Sequence, residues 1–341
     1  MPFFSKNIGI DLGTTNTRIY LKERGVLLNE ASAVAYDTRL KKVIRVGDEA
    51  KEMLGRTPSY IEVIYPLRDG VIADYHMTEF MLKSFLEKTI RRYGFFGPKI
   101  AIGVPYEATE VEKRAAEDVA MGCGARQATV IEEPIASAKG MGISVEAREA
   151  SMIVDIGGGT CEVAVISLKG VSASGSIRVA GDAMDNAIIN YIRKNYSLLI
   201  GNPTASEIKN TIGSAVAYEG ESAMSFKGRD LLTGLPKTMS VTPEQIREAL
   251  SDYVNAILEC IRKVLEKTPP ELIGDITAGG IYLTGGVSQL KGLDEFLSAE
   301  TGLKVTRAEN PITCAAEGIG ELMRDQGERI RGFGGKTKNN K

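Results

Sequence analysis

The sequence has few of the residues that build metal sites and nucleophilic catalytic sites. Its 341 residues include no tryptophan, one histidine and four cysteines. The cysteines show no C-x-x-C spacing and His76 stands alone, so zinc ligation and Cys/His catalysis lack their groups. We predict that Cys123, Cys161, Cys260 and Cys314 are free, buried thiols in a reducing compartment, and that His76 is structural or on the surface.

An excess of charge of one sign and a long apolar run are also missing. Lys and Arg total 42 against 44 for Asp and Glu, a formal net charge of −2, so nothing in the charge favours a nucleic-acid partner. No uncharged apolar run approaches the ~18 residues of a membrane-spanning helix. The first seven residues do not resemble a signal peptide. We therefore expect a cytoplasmic globular protein, of roughly two domains by its length.

Two segments 144 residues apart share one plan. Residues 8–17 read IGIDLGTTNT and residues 152–161 read MIVDIGGGTC. In each, an apolar strand ends in an aspartate, Asp11 or Asp155, and a turn of small residues leads to a second apolar strand. Such turns let backbone N–H groups converge on an anion, and two carboxylates facing one polyphosphate would require Mg²⁺ between them. The repeat predicts two related halves and a Mg-nucleotide site; alternatively, both aspartates only cap their turns.

The remaining patterns predict an α/β architecture. Capping boxes at Thr109 and Thr242 begin helices, and the second helix runs with an apolar stripe to Pro269-Pro270. Short apolar runs at 100–104, 129–131 and 281–283 predict strands between helices. Residues 201–240 have weak periodicity, typical of a small inserted subdomain or of long loops. The basic, Gly- and Asn-containing tail after about Gln326 is predicted to be disordered.

Two further segments could carry chemistry. Glu132 and Glu133 follow a predicted strand and precede Pro134, so they could orient a water for attack on a terminal phosphate, or they could simply begin a helix. Thr284-Gly285-Gly286 ends another strand, where a flat adenine could lie against exposed backbone, although a tight turn explains the same residues.

These four segments, in this order, resemble the actin and heat-shock-chaperone ATPase superfamily. Further stretches are similar to the MreB family of bacterial actins: LGRTP at 54–58, GVIAD at 70–74, DIGGG at 155–159, AIINYI at 187–192, GRDLLTGLPK at 228–237 and PPEL at 269–272. The resemblance extends from about residue 7 to about residue 325.

The resemblance implies an α/β actin-like ATPase fold, with two duplicated α/β domains that each carry a smaller subdomain and a nucleotide cleft between them. Its implied boundaries are 1–31, 76–143 and 309–335 for subdomain IA, 32–75 for IB, 144–180 and 240–308 for IIA, and 181–239 for IIB. Residues 336–341 would form a disordered tail.

The resemblance also implies roles for individual residues. Asp11 and Asp155 would organise Mg²⁺, and Glu133 would be the catalytic residue that orients water. The implied contacts to ATP or ADP come from Gly13, Thr14, Thr15 and Asn16 on one side of the phosphates, Gly157, Gly158, Gly159 and Thr160 on the other, Glu207 and Lys209 near the ribose, and Gly285 and Gly286 at the adenosine.

Some residues depart from the family pattern. Cys161 stands where the family usually has a second Thr, and Ser206 stands at the usual Glu position, with Glu207 one step along. Arg18 occupies a position that is usually apolar.

The function implied is that of an ATP-dependent bacterial actin forming antiparallel double filaments that organise cell shape and wall synthesis. Implied partners are other copies of the chain, the inner face of the cytoplasmic membrane and rod-complex proteins such as MreC, MreD and RodZ. Phe3 and Phe4, and Phe95 and Phe96, are aromatic pairs beside basic residues, a composition suited to anionic lipid. Alternatives are a motility or other cytoskeletal role, or a monomeric kinase or chaperone ATPase of the same fold.

Overall fold

The computed structural model describes residues 6–21, 23–90 and 97–333, with side chains described as far as residue 323. The chain divides into two compact units. Unit 1 comprises Met1–Val145 and Ile312–Lys341, and unit 2 comprises Glu146–Pro311. The finer boundaries of four subdomains stay a prediction. Within the described part, no helix is both long and apolar enough to cross a membrane.

The described residues of unit 1 form these strands and helices, in order: β1 (Asn7–Leu12), β2 (Asn16–Leu21), β3 (Gly25–Ala31), β4 (Val34–Asp37), β5 (Lys42–Val46), α1 (Asp48–Glu52), β6 (Ile61–Ile64), β7 (Leu67–Arg68), β8 (Val71–Ile72), α2 (Tyr75–Thr89), β9 (Lys99–Val104), α3 (Glu110–Gly122), β10 (Gln127–Glu132) and α4 (Glu133–Gly140). The chain returns to this unit after unit 2.

Unit 2 contains β11 (Ser151–Ile156), β12 (Cys161–Ser167), β13 (Gly170–Ile177), α5 (Gly181–Tyr196), β14 (Leu198–Leu199), α6 (Asn202–Ile212), β15 (Met224–Asp230), β16 (Pro236–Val241), α7 (Pro243–Lys267), α8 (Pro270–Gly279), β17 (Ile281–Thr284), a 3₁₀ turn (Gly286–Gln289), α9 (Leu293–Thr301) and β18 (Val305–Arg307). The last helix of the chain, α10 (Cys314–Phe333), belongs to unit 1.

The main sheets of the two units have the same topology. In unit 1 the order is β3-β2-β1-β9-β10, and in unit 2 it is β13-β12-β11-β17-β18. In both sheets the first two pairings are antiparallel and the last two are parallel. The repeat in the sequence therefore reflects a repeat in the fold.

The two predicted capping boxes are present. Thr109 and Glu112 close the N-terminus of α3, and Thr242 and Gln245 close that of α7, each with reciprocal side-chain and backbone hydrogen bonds. The buried stripe of α7, from Ile246 to Val264, packs in the apolar core of unit 2. The helix ends at Lys267 because Pro269 and Pro270 cannot continue it.

The C-terminal helix extends further than the sequence predicts. α10 continues to Phe333, so the prediction of disorder from about Gln326 is wrong over residues 326–333. Before this point the helix packs closely on α4 and β1, where a Cβ at Gly9 would lie 2.9 Å from the backbone nitrogen of Gly320. The predicted tail at 336–341 lies outside the described residues.

Small sheets accompany each main sheet. Strands β5-β4-β6 form one in unit 1, and β14-β15-β16 form one in unit 2. The sequence left two alternatives for residues 201–240, a small subdomain or long loops. The structure contains α6 and two long strands there, β15 and β16, so the region is structured. All four cysteines are free and buried, as predicted, and His76 is exposed on α2.

Candidate functional site

The first hairpin joins β1 to β2, and the residues inside its last cross-strand pair, 13–16, are held in place by two neighbouring loops. Ser32 Oγ donates to the carbonyl oxygen of Gly13 at 2.6 Å, and Gly70 N–H donates to Thr14 Oγ1 at 2.8 Å. A Cβ at Gly13 would lie 2.9 Å from the carbonyl oxygen of Asn16, so only glycine fits this turn without a shift. Thr14, Thr15 and Asn16 are half-buried in the turn.

Asp11 lies at the end of β1, where the sequence places it, but its carboxylate is already in an ion pair. Arg18 Nη1 donates to Asp11 Oδ2 at 2.7 Å, and the two residues are direct cross-strand partners. Both side chains are largely buried, with 8% of Asp11 and 16% of Arg18 exposed. From the sequence alone, Arg18 is noted only as a departure from the family pattern. Its position opposite Asp11 in the predicted hairpin could have predicted this ion pair.

Glu133 lies at the same edge of the unit 1 sheet as Asp11. Strands β1, β9 and β10 are parallel, with Ile10, Ile102 and Val130 level with one another, so their carboxyl ends meet at one edge. Glu133 is half-buried and begins α4 directly after β10. The fold therefore gathers Asp11, the first turn and Glu133 at one edge of the unit 1 sheet.

The second hairpin joins β11 to β12 through residues 157–160, a turn of the same length as the first. Gly157 N–H donates to the carbonyl oxygen of Thr160 at 2.9 Å and closes the turn. The carbonyl oxygens of Gly157 and Gly158 accept from the N–H groups of Gly181 and Asp182, at 3.2 and 2.9 Å. The first turn of α5 thus fixes the backbone of this hairpin.

Lys209, on α6, lies close to this hairpin. Its Nζ contacts Asp185 Oδ1 at 2.7 Å and donates to the carbonyl oxygen of Gly181 at 2.8 Å. A Cβ at Gly181 would be 3.4 Å from Lys209 Nζ and 3.5 Å from the Cα of Gly158, so lysine and turn border the same space. Glu207, by contrast, is on an exposed position of α6.

Gly285 brings the adenosine segment next to Asp155. It ends β17 with φ of +84°, a conformation that favours glycine. A Cβ there would lie 2.6 Å from Asp155 Oδ1, and Asp155 is level with Thr284 across the parallel pair. Unit 2 therefore places Asp155, Gly157–Thr160, Lys209 and Gly285 in one neighbourhood, with Gly286 exposed beside them.

Cys161 has no exposed surface and belongs to the apolar core of unit 2. Burial, followed by the proximity of Cys260 and Asp155, raises the pKa of its thiol well above the usual value. The group stays protonated at neutral pH and is shielded from reagents in solution.

The acidic residues fit Mg²⁺ held mainly by water and phosphate oxygens. No group of three or more His, Cys, Asp or Glu residues that could hold a metal occurs among residues 6–21, 23–90 and 97–333. Mg²⁺ typically takes only one or two carboxylates beside phosphates. Asp155 is half-buried at a glycine-rich turn and suits this role, whereas one oxygen of Asp11 is already held by Arg18.

The chain is similar to known proteins over nearly its whole length. The model of the MreB/Mbl protein family matches residues 5–330. The cell shape-determining protein MreB of Escherichia coli strain K12 is 47% identical over 326 residues, which is 94% of each chain. The cell shape-determining protein Mbl of Bacillus subtilis strain 168 is 43% identical over 320 residues, 94% of this chain and 96% of that protein.

Solved structures of MreB5 and MamK are similar to this chain in fold. MreB5 of Spiroplasma citri bound to ADP superposes with a TM-score of 0.92, at 35% identity, over 97% of this chain and 99% of that one. Its complex with AMPPNP gives a TM-score of 0.93 at 34% identity, over 97% of this chain and 100% of that one. The MamK double helical filament, 24% identical over 94% of this chain and 98% of that one, shares the fold with a TM-score of 0.80. These similarities confirm the predicted actin-like α/β fold.

Proposed function

Because this chain belongs to the MreB/Mbl family of cell shape-determining, actin-like proteins, we propose that it binds ATP with Mg²⁺, assembles into filaments and hydrolyses ATP in the assembled state. The observation that carries the proposal is the repeated hairpin. Two sheets of one topology each end their central strand in an aspartate and a four-residue turn of small residues, at Asp11 and at Asp155. Relatives bound to ADP and AMPPNP support a nucleotide as the ligand.

The turns are suited to phosphate oxygens. Small residues let backbone N–H groups approach an anion closely, and in both hairpins hydrogen bonds from neighbouring elements fix the backbone. Lys209, in its ion pair with Asp185, lies beside the second turn. Gly285 packs against Asp155, and Gly286 is exposed just after β17, where the nucleoside would lie. Bound Mg²⁺ would neutralise charge on the phosphates, with Asp155 as its first protein ligand and Asp11 as a second.

Hydrolysis requires a water aligned with the terminal phosphate, and Glu133 is the residue we propose for this role. Its carboxylate at the edge of the unit 1 sheet would orient the water and accept its proton as the new phosphorus–oxygen bond forms. The bond from the terminal phosphorus to the leaving oxygen of ADP breaks in the same process. Glu133 follows β10 directly, so a buried sheet fixes its backbone.

Filament partners and membrane attachment complete the proposal. Self-association into double filaments is supported by the family and by the MamK double helical filament among the structural relatives. Attachment to the inner face of the cytoplasmic membrane, with rod-complex proteins as further partners, follows from the family resemblance and the aromatic pairs. Phe3, Phe4, Phe95 and Phe96 lie outside the described residues, so the sequence alone supports their lipid contact.

Pelleting of the purified full chain with Mg-ATP tests the proposal. We expect the wild type to sediment above a critical concentration, and Glu133→Gln to sediment normally while phosphate release falls by ~100-fold or more, because a residue that accepts the proton is lost. Glu110→Gln is the matched control, since the Glu110 side chain is 92% exposed on α3 and phosphate release by this variant should be unchanged.

Co-sedimentation with liposomes of anionic lipid tests membrane attachment. The double variant Phe95→Ser and Phe96→Ser should lose co-sedimentation with the liposomes and keep assembly.

A chain that stays in the supernatant with Mg-ATP at every concentration would overturn the filament proposal and favour a monomeric enzyme. Equal phosphate release by the Glu133→Gln variant and the wild type would remove Glu133 from the mechanism while leaving assembly in place.

A further inference from the structure

The cross-strand partners of the two repeated aspartates carry opposite charges. Asp11 is level with Arg18 across the β1–β2 pair, and Asp155 is level with Glu162 across the β11–β12 pair. Both partners follow their aspartate by seven residues and lie on either side of a turn of the same length. The first hairpin therefore pairs an acid with a base, and the second pairs two acids.

The Arg18 side chain is largely buried in the first hairpin and does not lie on the surface. Only 16% of its side chain is exposed, and Nη1 lies 2.7 Å from Asp11 Oδ2. Its Nε is buried and has no hydrogen-bond partner among the described residues. A guanidinium has five N–H donors, and the contact with Asp11 uses Nη1, so the guanidinium retains further Nη donors beside Asp11 and the first turn.

This difference changes which ion each hairpin favours. The charges of Arg18 and Asp11 cancel at short range, so a divalent cation gains less attraction at Asp11 than at Asp155, and a phosphate meets little repulsion from Asp11. In unit 2 the residue level with Asp155 is Glu162, an acid that is 4% exposed, so the cross-strand position that supplies Arg18 to Asp11 in unit 1 supplies no base to Asp155.

We propose that Arg18 is a built-in counter-cation for the nucleotide's phosphates at the first hairpin, and that the divalent cation is bound from the Asp155 side. Arg18 would be a positioning and binding residue that holds Asp11 and offsets phosphate charge without a metal. The chain would then keep a substantial part of its nucleotide affinity when Mg²⁺ is absent. This inference rests on the proposed function, since it concerns the same nucleotide.

Calorimetric titration of the full chain with ADP tests the inference, once in Mg²⁺ and once in EDTA, below the concentration at which the chain assembles. The measured quantity is the ratio of the dissociation constants in EDTA and in Mg²⁺. For Arg18→Leu, which leaves Asp11 unbalanced, we expect this ratio to rise about tenfold or more, with less than about threefold weakening in Mg²⁺. Arg18→Lys keeps the charge and should retain a ratio close to that of the wild type.

Lys88→Met is the matched control. It removes one positive charge from unit 1, at a pair in which Lys88 Nζ lies 3.0 Å from Glu30 Oε2, and it should leave the ratio unchanged. Thermal melting of each nucleotide-free variant checks folding. If Arg18→Leu does not fold, Arg18→Met replaces it with the same expectation.

The outcomes separate two failures. If the wild type binds no ADP even in Mg²⁺, the proposed function fails. If the wild type binds but Arg18→Leu or Arg18→Met has the wild-type ratio, Arg18 has only a structural role and the inference is overturned. A rise of the same size in Lys88→Met would also overturn it, because the effect would then belong to net charge.

Discussion

At the residue scale, Gly318 shows how closely α10 is packed. A Cβ at this position would lie 2.6 Å from the carbonyl carbon of Ala136 and 2.8 Å from the backbone nitrogen of Gly140. These neighbours are backbone atoms of α4, so they cannot rotate away as a flexible side chain could. Close helix contact therefore depends on the absence of a single methyl group.

We expect Gly318→Ala to lower the free energy of unfolding of unit 1 by about 1–3 kcal/mol or more, because overpacking exceeds the gain in helix propensity. Gly274→Ala in α8 is the control, since nothing lies within 4 Å of its Cβ position. That variant should be more stable by roughly 0.5–1 kcal/mol. Urea unfolding followed by circular dichroism measures both, and changes of equal sign would contradict the packing argument.

The sequence revealed the candidate residues more readily than their partners. Asp11, Asp155 and Gly285 could be recognised because strand ends and glycines have local signatures. The Arg18 pair with Asp11 depends on the β1–β2 register, and the contact of Lys209 with Asp185 joins residues of two different helices. No short-range sequence pattern indicates a contact between side chains of two different helices, so only the structure reveals the pair of Lys209 and Asp185.

At the element scale, the β15–β16 hairpin is held by one carboxylate. Asp230 Oδ1 accepts from the N–H groups of Leu232 and Thr233, and Lys237 Nζ lies 3.2 Å from Oδ2. The two backbone hydrogen bonds, followed by the one from Lys237, lower the pKa of Asp230 to about 2. The turn therefore keeps its shape although Leu232 and Leu235 are exposed in it.

We expect Asp230→Ala to accelerate hydrogen exchange across residues 224–241 and to leave α7 unchanged. Because the folded pKa is lowered, the stabilisation is present above the unfolded value near 3.8 and is lost as pH falls through about 2. The ratio of exchange rates between variant and wild type should therefore stay constant from pH 7 to about pH 4 and shrink as the pH falls further toward about 2. Ratios independent of pH would show that the charge of Asp230 does not stabilise the turn.

Elements with strong periodicity could be predicted, and weakly patterned ones could not. α7 has a buried stripe and a capping box, and the structure confirms both. Strands β15 and β16 alternate less clearly because exposed residues such as Lys227 and Lys237 occupy much of them, so the sequence left this region as a subdomain or loops. Beyond Gln326, the basic and glycine-containing composition suggested disorder where α10 continues.

At the scale of the whole molecule, the repeat predicted the architecture. Two matching segments 144 residues apart implied two related halves, and the structure contains two sheets with one order and one set of strand directions. The repeat also predicts that one nucleotide contacts the hairpins of both units.

We expect Mg-ATP to stabilise both units together. Binding only to the folded chain adds about 2.7 kcal/mol when ATP is at 100 times its dissociation constant. The amides of β1 and of β11 should gain the same protection from hydrogen exchange in wild type. Asp155→Ala should reduce this gain to the same extent in both units, while Lys88→Met keeps it. Protection confined to unit 2 would contradict a shared nucleotide.

The position of α10 in the chain has a consequence for synthesis. Unit 1 begins with β1 but is finished only by the helix whose Gly320 covers Gly9, after the whole of unit 2 has been made. At about 5–20 residues per second, the ribosome takes roughly 15–70 s to make these residues, and α10 emerges after unit 2. For most of that time the α10-facing surface of β1 and α4 is uncovered, so nascent unit 1 is the stage at which chaperones or premature association would act.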